Sequence, residues 1–206
     1  MRTIKSISIT AKTRHFLIFF FFASIFGNAQ VLDKDRTDLN KPETEVPAEI
    51  YWHVKAYLPD AQLLNIKAID KDGNIHDVKA IQDSDDSSLL DVKALVNGKR
   101  LPVKVIVKGG DLYYPVKAID ADGTLIDIKG ITKDGEILNV KGVTRSGNIV
   151  RLRAINVNAT SYNIIAVSPE GYVNSVKGVK MSESAVETVI NGVSIYAHIK
   201  ALKQNE

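Results

Sequence analysis

Residues 65–81 read Asn-Ile-Lys-Ala-Ile-Asp-Lys-Asp-Gly-Asn-Ile-His-Asp-Val-Lys-Ala-Ile. Two aliphatic, β-branched phrases flank Asp70-Lys71-Asp72-Gly73-Asn74. Val and Ile suit a pleated surface, and Asp-Gly between them is a hairpin signal. A type I turn closed by a left-handed Gly73 makes a three-residue loop in which Asp70 faces Asn74. Extending that register along one face puts Ile69 opposite Ile75, Lys67 opposite Asp77 and Asn65 opposite Lys79. The other face then pairs Ala68 with His76, Ile66 with Val78 and Leu64 with Ala80.

The phrase recurs along the chain, with its central base at 55, 67, 79, 93, 104, 117, 129, 141, 153, 177 and 200. The spacing is about twelve residues. The two double steps each hide a degenerate copy, near Ile165 and near Val189, which makes thirteen units. Asn97-Gly98, Asp122-Gly123, Asp134-Gly135, Ser146-Gly147 and Asn191-Gly192 punctuate the units as turns. The same hairpin construction at 120–124 places Lys117 opposite Asp127. At 132–136 it places Asp127 opposite Lys141 and Lys129 opposite Asn139, with Gly130, Ile128 and Ile126 facing Leu138, Val140 and Gly142 behind them.

One face is therefore apolar, with large residues against small ones. The other carries a band of Lys against Asp or Asn, flanked by aliphatics near the turns. Opposite charges across strands stabilise a sheet and resist a one-residue slip, which would invert both faces. Architecture accounts for the band Lys67, Lys79, Lys117, Lys129 and Lys141, so no appreciable heparin binding is expected of it. Display of the amines to polyanions is the competing reading.

The expected fold is all-β, an antiparallel meander of about thirteen short strands. Eight strands already close a barrel that side chains just fill. All six Phe lie at 16–26, so the repeats have none with which to fill a round barrel of thirteen. A flattened barrel or two-sheet sandwich fits, with a β-solenoid as the alternative.

Residues 1–30 have the pattern of a secretory signal peptide. Four bases and no acid precede the apolar run Phe16–Phe26, and Gly27-Asn28-Ala29-Gln30 offers a cleavage site. The leader resembles those of Gram-negative bacteria, which places the protein in the periplasm or outside the cell, with no membrane span after cleavage. Residues 31–50 read as a polar linker and 51–203 as the β-repeat domain. Without the leader the net charge is −1, which excludes a strongly basic nucleic-acid binder. The chain has no cysteine, so disulfides, thiol catalysis and thiolate-ligated zinc are excluded.

Asp70-Lys71-Asp72-Gly73 and Asp120-Ala121-Asp122-Gly123 lack the spacing of a calcium loop and read as turns. His53, His76 and His198 share no ligand spacing, and no nucleophile elbow or phosphate loop is present. No catalytic residue, metal site or cofactor is expected. The candidates for ligand contact are the aromatics Trp52, Tyr57, Tyr113 and Tyr114, which either cap the open end of the repeat array or stack on sugar rings.

The Val-Lys-Ala-Ile phrases (within 77–81 and 115–119) are similar to those of uncharacterised secreted bacterial repeat proteins, a domain of unknown function. That resemblance implies export and repetition and carries no activity. The expected function is an exported, non-enzymatic binding or envelope-associated structural module, whose partner could be a glycan or an envelope component. A carbohydrate- or polyanion-binding module is the alternative, and a hydrolase on a β scaffold comes third.

Overall fold

The computed structural model describes residues 49–57 and 63–204. The leader read at 1–30 and nearly all of the linker read at 31–50 lie outside the described residues. The chain is all-β. Its strands are β1 (Ile50–Tyr57), β2 (Leu64–Ile69), β3 (Ile75–Gln82), β4 (Leu89–Val96), β5 (Lys99–Ile106), β6 (Tyr114–Ile119) and β7 (Leu125–Ile131). They continue with β8 (Ile137–Ser146), β9 (Ile149–Ile155), β10 (Ser161–Val167), β11 (Val173–Val179), β12 (Thr188–Ile190) and β13 (Val193–Lys203). All thirteen join one antiparallel sheet that closes on itself as a flattened barrel round a thin core.

The turns form as their sequences require. Gly73 has φ +84°, its N–H donates to the Asp70 carbonyl, and the Asp70 N–H donates to the Asn74 carbonyl. The Asp70 carboxylate accepts the N–H groups of Asp72 and Asn74, which stiffens the loop. The same pair of backbone bonds recurs at 120–124, 132–136, 156–160 and 168–172. Asn97-Gly98 and Asn191-Gly192 both have positive φ at each residue, as a two-residue hairpin demands.

In the hairpins β2–β3, β6–β7 and β7–β8 the register that the turn sets extends only as far as the central base, whereas β3–β4, β5–β6 and β8–β9 stay paired past it. Lys67 faces Asp77, Lys117 faces Asp127 and Lys129 faces Asn139, as expected. In the first group the two strands part beyond that point. Asn65 pairs with Lys55 and Ile131 rather than with Lys79, and Lys79 pairs with His53 and Lys93. The expected pairs Ile66 with Val78 and Leu64 with Ala80 give way to Ile66 with Gly130 and Leu64 with Ala56. Asp127 meets Lys117 and Ile69, not Lys141, which faces Pro115 and Arg153. Ile128 lies against Ala68, Val140 against Ala154, Ile126 against Ala118 and Gly142 against Leu152 and Tyr114. The physical reason is closure. A strand that splits one edge between two partners can bend the sheet around the core, which an unbroken meander of this width cannot do.

The result is regular. Setting β12 aside, every strand hydrogen-bonds to three others. The strands gather as four triplets, β1–β2–β3, β4–β5–β13, β6–β7–β8 and β9–β10–β11, each fully paired within itself. Each triplet is joined to each of the other three by one strand pair: β3–β4, β2–β7, β1–β10, β5–β6, β11–β13 and β8–β9. This is the connectivity of a tetrahedron with three strands at every corner. The degenerate copy near Ile165 supplies β10 and completes the fourth triplet. The copy near Val189 is the short β12, which pairs with β13 alone among the described residues.

Packing follows from that connectivity. In all twelve triplet strands the residues just before and just after the central position are buried. Across each link between triplets, the residue before the centre meets the residue after it: Ile66 faces Gly130, Ala68 faces Ile128, and Val140 faces Ala154. Within a triplet the residue after the centre meets a second large partner, as Ala80 meets Trp52 and Gly130 meets Leu138. A side chain hemmed in by large neighbours on both edges must be small, and eleven of the twelve are Ala or Gly.

Candidate functional site

The outer face carries the chemistry. Because each strand is shared between a triplet and a link, the central residue of each strand, a base in all but β10, stands on the outer face at a triplet, beside the residue two positions before the centre of its neighbour. In β1–β2–β3 this makes a cyclic set. Lys55 donates to Asn65 Oδ1, Lys67 donates to Asp77 Oδ1, and Lys79 Nζ lies 2.9 Å from His53 Nδ1. The Lys67 hydrogen bond, then the Lys79 charge against an opposing burial effect, holds the Asp77 carboxyl below its usual value. Burial followed by the Lys79 charge lowers the His53 imidazole.

In β6–β7–β8, Lys117 donates to Asp127, and Lys129 donates to Asn139 Oδ1 at 2.8 Å and lies 3.1 Å from Asp127 Oδ2. Burial pushes the Asp127 carboxyl up, and the two lysines together outweigh it, leaving it below the usual range. A small depression lies at this triplet, floored by Val116, Ile128 and Val140 and rimmed by Lys117, Lys129 and Lys141. In β4–β5–β13 the cations are buried. Lys200 pairs with Asp91, and Lys104 Nζ lies 3.1 Å from His198 Nδ1. Burial is the main cause that lowers both Lys104 and His198, the latter to about 4.

The fourth triplet differs. Arg153 and Lys177 are the central bases of β9 and β11, and Ile165 is the centre of β10. The neighbour of Lys177 is Arg151, where the other triplets supply His53, Asp91 and Pro115. No hydrogen bond or ion pair ties Arg151, Arg153 or Lys177 to an acid among the described residues. Arg153 Nη1 is buried without a hydrogen-bond partner. Burial first, then the charge of Arg151, lowers the Arg153 guanidinium from its usual value. Burial and the two arginines do the same to Lys177.

The lysines named from the sequence, Lys67, Lys79, Lys117, Lys129 and Lys141, all stand on this outer face. The first four are tied to Asp, Asn or His partners. Lys141 faces Pro115, which offers no side-chain acceptor, and has none among the described residues. Of the aromatics, Trp52 is buried in the core with Nε1 donating to Gln82 at 2.8 Å, so it fills the shell from within. Tyr114 stacks on Tyr196 with ring centroids 4.1 Å apart, and Tyr57 and Tyr113 are exposed. Arg151 was not singled out by the sequence reading. Its signal was a base two positions before a central base, in Arg151-Leu152-Arg153, where other units carry Asp, Asn, His, Pro or Ser.

No curated protein matches this chain, and no solved structure matches it. A family model covers residues 48–202, all of the four triplets but the last residue of β13. The chain belongs to that family, the family of unknown function DUF7486.

Proposed function

We propose that this chain is an exported, non-enzymatic domain that acts as a binding or envelope-associated module. The observation that carries the reading is the division of labour between the two faces. The inner face is packed with Val, Ile, Leu, Ala and Gly, and outside the β4–β5–β13 triplet, whose cations are buried, the central polar groups stand on the outer face of a scaffold fixed by three partners per strand. The carboxylates Asp77, Asp91 and Asp127 are held by lysine ammonium groups in repeated positions. That setting favours a fixed recognition surface over a unique acid–base pair. The leader at 1–30 supports export. The alternative, a module for carbohydrates or polyanions, is favoured by the acid-free cluster of Arg151, Arg153 and Lys177.

The test is a glycan array probed with the mature protein purified from the envelope of its own cells, with mass analysis of protein and bound glycans. Retention of a glycan class at unchanged mass supports the reading. Turnover of a glycan overturns its non-enzymatic part, and a mature mass that still includes Phe16–Phe26 overturns export by cleavage.

A further inference from the structure

We propose that the outer face of the β9–β10–β11 triplet binds a single sulfate or phosphate oxyanion, held by Arg151, Arg153 and Lys177 with Asn163 and Ser175 at its edge. The proposal rests on the binding-module reading above and names the chemistry of the ligand.

Register alone brings the three cations together. Lys177 and Arg151 are direct cross-strand partners, a placement in which like charges repel. Arg153 follows Arg151 by two residues, so it projects from the same face about 7 Å along the strand. Asn163 faces Arg153 across the β9–β10 pair, and Ser175 lies two residues before Lys177 on the same face. Lys141 faces Arg153 across the β8–β9 link and adds a fourth cation without an acid of its own. Arg153 Nη1 is a donor buried without an acceptor, which is costly unless a ligand satisfies it.

The internal repeat supplies the control. In pseudo-equivalent places, the β1–β2–β3 triplet has His53 where this one has Arg151, and Asp77 where this one has Ser175. Those partners neutralise or accept from the central lysines. Here one acceptor has become a cation and the acid has become a hydroxyl, so the triplet lacks the negative group that the repeat elsewhere builds in. A guanidinium offers a planar fork of donors matched to a tetrahedral oxyanion. Two arginines and an ammonium around one point can replace the missing carboxylate with an external one-centre anion of higher charge.

The full mature chain is titrated calorimetrically with inorganic sulfate, with inorganic phosphate and with heparin, against sodium chloride at equal ionic strength. Thermal unfolding is followed in the same solutions. Arg151→Gln changes an exposed side chain and is expected to weaken sulfate and phosphate binding about tenfold or more. Lys129→Gln, in the β6–β7–β8 triplet, is expected to leave it within about twofold. Ser175→Asp rebuilds the internal acid that Asp77 provides. It is expected to raise the unfolding temperature in chloride and to abolish the further rise produced by sulfate. Tighter binding of heparin than of the free ions, lost in the same variants, assigns the group to a sulfated polymer, and equal binding assigns it to the free ion; both support the site. Sulfate and phosphate effects no larger than those of chloride overturn the proposal, as does equal binding by Arg151→Gln and the unsubstituted protein. Retention of a neutral glycan on the array together with no anion effect defeats this site alone and leaves the binding-module reading standing.

Discussion

Val105 and Gly178 divide one space between them. Val105 Cγ2 stands 3.1 Å from the point that a β-carbon on Gly178 would occupy, and Val105 Cγ1 stands 3.5 Å from the same point on Gly142. Val105 fills the place after the central base that is Ala or Gly in the other eleven strands. The one enlarged position is accommodated because two residues packed against it have no side chain, so volume is conserved across the three.

Gly178→Ala should cost about 1–3 kcal/mol, because its β-carbon would also lie 2.9 Å from Val150 Cβ, too close without movement of a packed strand. Gly130→Ala should stay within about 0.5 kcal/mol, since its β-carbon would meet Ala154 and Leu138 at an ordinary 3.4 Å. Combining Gly178→Ala with Val105→Ala should recover part of the loss, with a favourable coupling of about 0.5 kcal/mol or more. Urea unfolding of the unsubstituted protein, Gly178→Ala, Val105→Ala and the double variant gives the cycle. Additive losses would mean that Val105 and Gly178 do not share the space.

Gly142→Leu and Lys141→Leu add the same side chain one residue apart, on opposite faces. Gly142 is hemmed in, with Val150 Cγ1 at 3.1 Å and Tyr114 Cβ at 3.2 Å from its would-be β-carbon, so leucine there should cost on the order of 1–3 kcal/mol or more. Lys141 faces outward, and its replacement should cost under about 1 kcal/mol. Thermal unfolding decides between them. Greater damage from Lys141→Leu would mean that the faces are inverted.

Acid should weaken the fold in a particular window. Burial, reinforced by Lys104 and Lys200, lowers the His198 imidazole to about 4 from an unfolded value of 6.5. Between those values the unfolded chain binds a proton that the folded chain does not. Stability is therefore complete above the unfolded value and is lost as pH falls from 6.5 towards 4, by on the order of 3 kcal/mol. His53 is lowered as well and adds in the same direction. Urea midpoints measured between about pH 7 and about pH 4 should show the slope, and His198→Asn should remove most of it. An unchanged slope in that variant would assign the acid sensitivity elsewhere.

Turn chemistry made the near half of each hairpin legible. Asp70 to Asn74 fixes Lys67 against Asp77, and one pair further on Asn65 and Lys79 turn to other strands. Nothing local to residues 65–79 states that β2 leaves β3 to join β7, because that choice is made by closure of the whole shell. A cue was nonetheless present. A small residue after every central base is unnecessary in a simple meander and required where two large neighbours converge. The outward lysines were also legible, since alternation fixes the face. The acid-free triplet was not, because it is assembled from β9 and β11, which are not consecutive in the chain.

The central claim is that β2 and β7 are bonded neighbours linking two triplets, and the absence of cysteine allows a direct test. Lys67 and Lys129 are cross-strand partners on the outer face, 62 residues apart in the chain. In the double variant Lys67→Cys, Lys129→Cys, mild oxidation of the folded protein should form an intramolecular disulfide, read as a 2 Da mass loss and a reduction-sensitive shift in gel mobility. In an unbroken meander the two positions would lie about five strand spacings apart, roughly 24 Å, beyond the reach of a disulfide. Two free thiols in a folded, oxidised protein would contradict the account.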